Sequence, residues 1–302
     1  MKTAIVTDTN SGIFPKEGRL LGIYSLPMPL QIDDRTYYEG KDISVSQFYK
    51  YLVQCPAVST SQPAPRDVLA LWDSVLEEHD ELVYIPMSSG LSSSCHAAQV
   101  LAGEYGGKVQ VVDNHRIFLS LRDSVLDAKA LAGAGCTAAE IKTELERSAY
   151  DSMIYIGLDT LDYLKRGGRV TAAGAALGSI LNMKPLLKIE GGKLDACAKV
   201  RGTDNCKKRL MEEMGKSIEL FTDRGWDISV AVADSYLDPT SSGGWLAMAS
   251  STLFRDDVVH CPLTCSIGCH VGPNAFGMAV SRRLMRKEMN SLPWAIVYHR
   301  GP

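Results

Sequence analysis

Long apolar runs are the first thing missing from this 302-residue chain. No segment reaches the roughly 18 uncharged apolar residues that a bilayer span requires, and the opening MKTAIVTDT has no signal-peptide apolar region. The expectation is a cytoplasmic protein with at most transient membrane contact. A surplus of one charge is missing too: Lys plus Arg number 32 against 35 Asp plus Glu, a net charge of −3. That balance gives neither the basic footprint of a nucleic-acid binder nor a polybasic anchor. No GxGxxG follows the first apolar run, no GxxxxGK[ST] occurs, and HExxH is not found. SSGLS fails as a nucleophile elbow, because neither Ser89 nor Ser92 has glycine both two residues before and two after it. No cofactor is called for.

Disulfide spacing is also lacking. The eight cysteines include Cys55, Cys95, Cys136, Cys197 and Cys206 at scattered positions, which suits reduced, mostly buried thiols. Cys261, Cys265 and Cys269, flanked by His260 and His270, invite a metal reading. In a strand they would span about 26 Å at about 3.3 Å per residue, too far for one zinc ion. Pro262 and Gly268 argue against one continuous helix that would gather them. Core packing, with no metal, is the expectation.

What is present is an alternation of strand and helix patterns. Strands are expected at Thr3 to Val6, Ile23 to Leu30, Leu82 to Pro86, Lys108 to Val112, Met153 to Leu158, Ile228 to Val232 and, as the last, Val258 to Leu263. Helical patterns fall near Ser46 to Val53, Pro65 to Glu78, Ser94 to Glu104, Leu119 to Ala134, Ala138 to Ala149, Asp204 to Thr222 and Gly243 to Phe254. The order predicts two α/β domains, residues 1–150 and 151–302, with mostly parallel sheets and helices on both faces. The boundary is expected at Tyr150 and Asp151. Beyond Val280, the cluster Arg282, Arg283, Arg286 and Lys287 reads as a solvated basic helix face.

The segment Thr160 to Gly202 is the densest in signals. A short helix, Leu161 to Arg166, is stopped by Gly167 and Gly168, which sets Arg169 at a bend as a candidate anion ligand. Thr171 to Leu181 is rich in Ala and Gly, so that its helix can lie close to another backbone or to a ligand. Leu186 to Ile189 and Leu194 to Val200 then read as a hairpin around Gly191 and Gly192.

Hydroxyl-bearing loops recur. Thr60, Ser61 and Gln62 precede one expected helix, and Ser88, Ser89, Gly90, Leu91, Ser92, Ser93 and Ser94 precede another. Each alone is ordinary N-capping; together in one sheet they suit an anion site. Asp8, Thr9 and Ser11 would share that sheet edge, with Asp8 equally suited to capping. His270, between Gly268 and Gly272, reads as exposed on a tight turn, where its imidazole can donate to an acid.

TDTNSG at the amino terminus, TSQPAP at 60, SSGLSSS at 88, VVDN at 111, TLDYLKRGGRV with its KVRG end, and IGCHVGP at 267 together resemble the DegV family over nearly all of Met1 to Val280. The resemblance implies two α/β domains that hold a long-chain fatty acid between them and present it to a separate fatty acid kinase, which makes the acyl phosphate. It implies that Thr60, Ser92 and His270 hold the carboxylate with Arg169 near it, and that Arg201 serves kinase docking. Ser61, Ser89 and Gly90 would support the loops, and Ile180, Leu181, Met183 and Phe276 would wall an acyl tunnel. The chain itself would then be non-catalytic. It departs from the family pattern at Ser93, Cys95, Asn274 and Phe276, around the head group and tunnel. Two other readings stand beside this one: an enzyme acting on a small phosphorylated or carboxylated metabolite, with Asp8, Arg169 and His270 as acid, clamp and base, and a regulatory lipid-sensing module.

Overall fold

Three sheets organise the protein in the computed structural model, which describes residues 2–54, 58–176, 182–192 and 194–284. The first part of the chain runs β1 (Thr3–Asp8), α1 (Pro15–Leu21), β2 (Tyr24–Leu26), β3 (Pro29–Ile32), β4 (Arg35–Tyr38), α2 (Val45–Gln54), β5 (Val58–Thr60), α3 (Pro65–Leu76), β6 (Glu81–Ile85), α4 (Ser94–Ala102), β7 (Val109–Val111), α5 (Phe118–Gly133) and α6 (Ala138–Arg147). The second runs β8 (Ser152–Gly157), α7 (Asp162–Gly167), α8 (Ala172–Ala176), β9 (Met183–Ile189), β10 (Asp195–Arg201), α9 (Thr203–Asp223), β11 (Ile228–Asp234), α10 (Pro239–Leu253), β12 (Val259–Pro262), α11 (Cys265–Val271) and β13 (Phe276–Arg282).

The α/β class is as expected, and the first sheet, β2-β1-β6-β7, is parallel at every pairing. The second sheet corrects the expectation of mostly parallel strands. Its order is β10-β9-β8-β13-β11-β12, and only β11 with β12 is parallel. Parallel neighbours need a crossover, and the β11-α10-β12 unit supplies it. By contrast, β9 and β10 form a hairpin, and β13, a strand the sequence did not announce, enters between β8 and β11 in the opposite direction. The expected strand Ile23 to Leu30 is split at Pro27, whose missing N–H breaks a ladder. Its first part joins the first sheet as β2, and its continuation, β3, centres a small antiparallel sheet β4-β3-β5.

Local rules account for the helices. α3 begins with Pro65 at its first turn and buries Val68, Trp72 and Val75 on one face at helical spacing. A capping box joins Thr137 and Glu140 at the start of α6. As expected, no one helix gathers the three cysteines: Cys261 lies in β12, while Cys265 and Cys269 lie in the short α11, which does include Gly268. Gly268 lies inside it because a Cβ there would come within 2.6 Å of the Tyr49 hydroxyl and 2.9 Å of the Phe48 ring. Cys265 and Cys269, one turn apart, are buried there among Leu30, Phe48, Tyr49 and Leu52.

The two faces of the second sheet differ in side-chain size. Along β13, Phe276, Met278 and Val280 join Val230, Val232 and Trp245 in the cluster beneath α9 and α10. The alternating partners Ala279 on β13 and Ala231 and Ala233 on β11 join Ile156, Leu187 and Ile189 on the opposite face. Arg282, expected on a solvated helix, instead ends β13 and pairs with Asp151 at 2.9 Å. Arg286 and Lys287 lie outside the described residues.

Candidate functional site

The small-residue face of the second sheet looks into a cavity that holds about 910 Å³ of atom-free space, its open mouth included. Ile154 and Ile156 of β8, Ile189 of β9, Ala233 of β11 and Gly277 and Ala279 of β13 form one wall. Met87, Leu91, Ile117, Phe118 and Leu119, from the loops and α5 beside the first sheet, form the facing wall. Strand alternation makes this space: small side chains on one face leave room, and large ones on the other fill the core.

Polar groups gather at a part of this lining. Thr60, Ser61, Ser92, Arg169 and His270 all border the cavity, each delivered by a different device. Thr60 is the last residue of β5, paired with Leu30 of β3. Ser92 follows β6 in the loop that Ser88 organises: the Ser88 carbonyl accepts from the Leu91 and Ser92 N–H groups at 3.0 and 3.1 Å. Arg169 follows the Gly168 bend, whose φ of 66° is left-handed. Its guanidinium donates to the Leu91 carbonyl at 3.3 Å and to the Gly167 carbonyl. One cation thus ties the bend to the serine loop.

His270 corrects the expectation of an exposed turn. It stands in the last turn of α11 and is partly buried, with Nε2 at 3.0 Å from the Thr60 hydroxyl. Its pKa is pulled down to about 4, first by burial and then by the positive charge of Arg169. The ring is therefore neutral at neutral pH, able to share one hydrogen bond with Thr60 and to offer one to an acid.

The remaining expected residues divide. Ser89 and Gly90 do not line the cavity but shape its loop: the Ser89 N–H donates to Asp113 at 3.2 Å, the Gly90 N–H donates to the Ser88 hydroxyl at 3.1 Å, and a Cβ on Gly90 would come within 2.9 Å of Gly192 in the β9-β10 turn. Met183, at the start of β9, is not part of the lining. Phe276 is a correction: it points away from the cavity, 1% exposed, with its ring 5.6 Å from that of Trp245. The parity of β13 explains the reversal, since Gly277 and Ala279 take the inward positions. Ile180 and Leu181 lie outside the described residues. Arg201 ends β10 and is exposed.

Asp8 is a cap. Its carboxylate accepts from the Asn10 N–H at 2.9 Å and the Met87 N–H at 3.2 Å, and burial raises its pKa to about 6. Glu39, which the sequence did not single out, is buried as well; burial raises its pKa to about 7 against hydrogen bonds from Thr9, Cys265 and Ser266. It accepts from the Thr9 hydroxyl at 2.8 Å and from the Cys265 N–H at the start of α11. Asn10 and Ser266 at the cavity lining were also unmarked as ligands. Nothing in residue type separates them from ordinary caps; the alternation of small and large residues in β11 and β13 was the one available signal for the cavity itself.

The DegV family model, described as an uncharacterised protein family, matches residues 2–283. This chain belongs to the DegV family. Among DegV relatives, a DegV domain-containing protein of Deinococcus radiodurans is 32% identical over 281 residues, covering 93% of this chain and 98% of the relative. One from Streptomyces coelicolor is 33% identical over 287 residues, covering 93% and 98%. A DegV family protein from Thermus thermophilus, described by its fatty acid binding, superposes with a TM-score of 0.81 at 28% identity, covering 93% of this chain and all of that one. DegV from Bacillus subtilis, described as a fatty acid binding protein, superposes with a TM-score of 0.81 at 24% identity over 93% and 99%, a likeness of fold. Among the described residues, no helix is long and apolar enough to cross a membrane.

Proposed function

We propose that this DegV protein binds a long-chain fatty acid, with its carboxylate at Thr60, Ser92 and His270 beside Arg169 and its chain in the apolar cavity. The observation that carries this reading is the gathering of those four side chains on the lining of a cavity otherwise walled mostly by aliphatic groups. A carboxylate leaving water must regain strong hydrogen bonds. The Ser92 hydroxyl and the one proton left over by the Thr60–His270 pair supply them, and Arg169, two of whose N–H groups are held by carbonyls, adds positive charge beside them. Each methylene buried in the cavity adds about 0.8 kcal/mol. The chain therefore supplies most of the affinity.

In this reading residues 1–150 and 151–302 act as two domains with the ligand between them, since the cavity draws its walls from both stretches. The protein is not itself an enzyme but presents the acid to a separate fatty acid kinase, which forms the acyl phosphate, and exposed Arg201 belongs to the docking surface. The lack of a phosphate-cradling motif supports that division of labour. The aliphatic walls weigh against the rival of an enzyme acting on a small polar metabolite.

Extraction of the purified protein followed by mass spectrometry should release about one fatty acid per chain, and a Ser92→Ala plus His270→Ala variant should carry little or none. Recovery of only polar metabolites would refute the reading. Arg201→Glu should lower turnover by the kinase while leaving lipid content unchanged.

A further inference from the structure

The cavity side of the second sheet changes character along its strands. Its side chains stand in cross-strand rows: Ile156 of β8, Gly277 of β13 and Ala233 of β11 form one, and two residues further on Ile154, Ala279 and Ala231 form the next. The row after that is Ser152, Ser281 and Ser229. Ile154 and Ala279 line the cavity, whereas none of the three serines does. Ser229 and Ser281 are buried, so the row belongs to packed interior.

The facing wall makes the same change at the same depth. Phe118 and Leu119, in the first turn of α5, line the cavity, and Asp123, one turn on, stands against the Ser229 and Ser281 hydroxyls with the charges of Arg283 and Arg116 nearby. The helix runs alongside β13, since Asp127, a further turn on, accepts from the Leu284 N–H at 3.2 Å. Leu119 to Asp123 covers about 6 Å of helix, and Ala279 to Ser281 about 7 Å of strand. The head group lies at the other end. β8 leads from Gly157 through α7 to Arg169, α11 with His270 leads into β13 at Phe276, and Gly157 pairs with Phe276 at the edge opposite the serines. An acyl methyl group pushed past Ala279 would disturb a carboxyl and its hydroxyl neighbours, at a cost that one more buried methylene does not offset.

We propose that this matched step from aliphatic to polar side chains is the closed end of the acyl cavity, and that Ile154 and Ala279 in its last apolar row are specificity-determining residues that set the longest acyl chain accepted. The inference rests on the fatty-acid reading above and adds a length limit to it.

The test is competitive displacement of a fluorescent fatty acid from the delipidated full-length protein by straight-chain saturated acids from decanoic to docosanoic. Each added methylene should tighten binding about fourfold up to one length, beyond which longer acids gain nothing. Ile154→Ala, which removes three carbons from the last row, should move that limit to acids about two to three carbons longer. Ile154→Val, a milder change, should move it by about one carbon, and Ala279→Leu should move it to shorter acids. Leu263, another lining residue, donates its N–H to the Asp234 carbonyl at the edge opposite the serines. Leu263→Ala should weaken all acids alike and leave the limit where it is. Affinity that climbs through docosanoic acid in the wild type, or a limit that the Ile154 and Ala279 variants do not move, overturns the inference and leaves the fatty-acid reading standing. Failure of the probe and of every acid to bind overturns both.

Discussion

The two faces of the second sheet are made by the same strands and serve opposite ends. Beneath α9 and α10, Phe276, Met278, Val230, Val232 and Trp245 pack into one cluster of buried side chains. On the other face Ala231, Ala233, Gly277 and Ala279 leave it open, and the opening becomes the cavity. A two-residue period in side-chain size thus separates stability from binding within single strands.

Substitutions that exchange the characters of the two faces are the direct way to break this comparison. Phe276→Ala should cost about 3–5 kcal/mol in urea unfolding, because it opens a void where packing is closed. If it instead removed the ligand at little cost in stability, the division between faces would fail. On the open face, Ala279→Leu should fill space that the acyl chain requires. Displacing about three methylenes would cost ~2.4 kcal/mol of binding, some fiftyfold in Kd, read by the same displacement assay. Unchanged affinity would place the chain elsewhere.

The smallest effect concerns pH and isolates the polar lining of the open face. His270 has a folded pKa of about 4 against an ordinary 6.5, so only well above pH 6.5 is it neutral in both states and without pH dependence. As pH falls from 6.5 towards 4, the unfolded chain takes a proton that the fold refuses, and stability falls. Asp8 and Glu39, raised to about 6 and 7, act in the opposite sense: their contribution is complete at low pH and is lost as pH rises through those values. Comparing His270→Asn with the wild type removes only the histidine contribution. On going from pH 7 to pH 5, ligand-free variant protein should gain about 2 kcal/mol relative to wild type in urea unfolding. Parallel profiles would mean that His270 is not held neutral by its surroundings.

Much of this was legible in the chain, for physical reasons that also mark where legibility stopped. The helices α3, α5, α6 and α9 and the strands of the first sheet follow from periodicity and from caps, which are local. Thr60, Ser92, Arg169 and His270 could be named from motifs, and all four border one cavity. The direction of the second sheet's strands was not legible, because pairing order is a property of distant segments. Neither was β13: Gly277 and Ala279 weaken its strand signal, yet their smallness is what the cavity needs. Phe276 was misplaced for the same cause, since without the strand its parity could not be assigned. Asn10, Glu39 and Ser266 lie far apart in sequence, and only folding shows that one buried carboxyl and one hydroxyl unite them.

The glycine pair before Arg169 carries a further consequence. Gly168 needs its left-handed φ of 66° but has open space around it, whereas at Gly167 an added Cβ would fall on the His270 ring. The two glycines thus have different tolerances. Asn can stand in for the second, being at ease in left-handed backbone. The first admits a side chain only if the imidazole gives way, so position 167 and position 270 form a coupled alphabet: in any redesign of this pocket, the letter chosen at one restricts the letters available at the other.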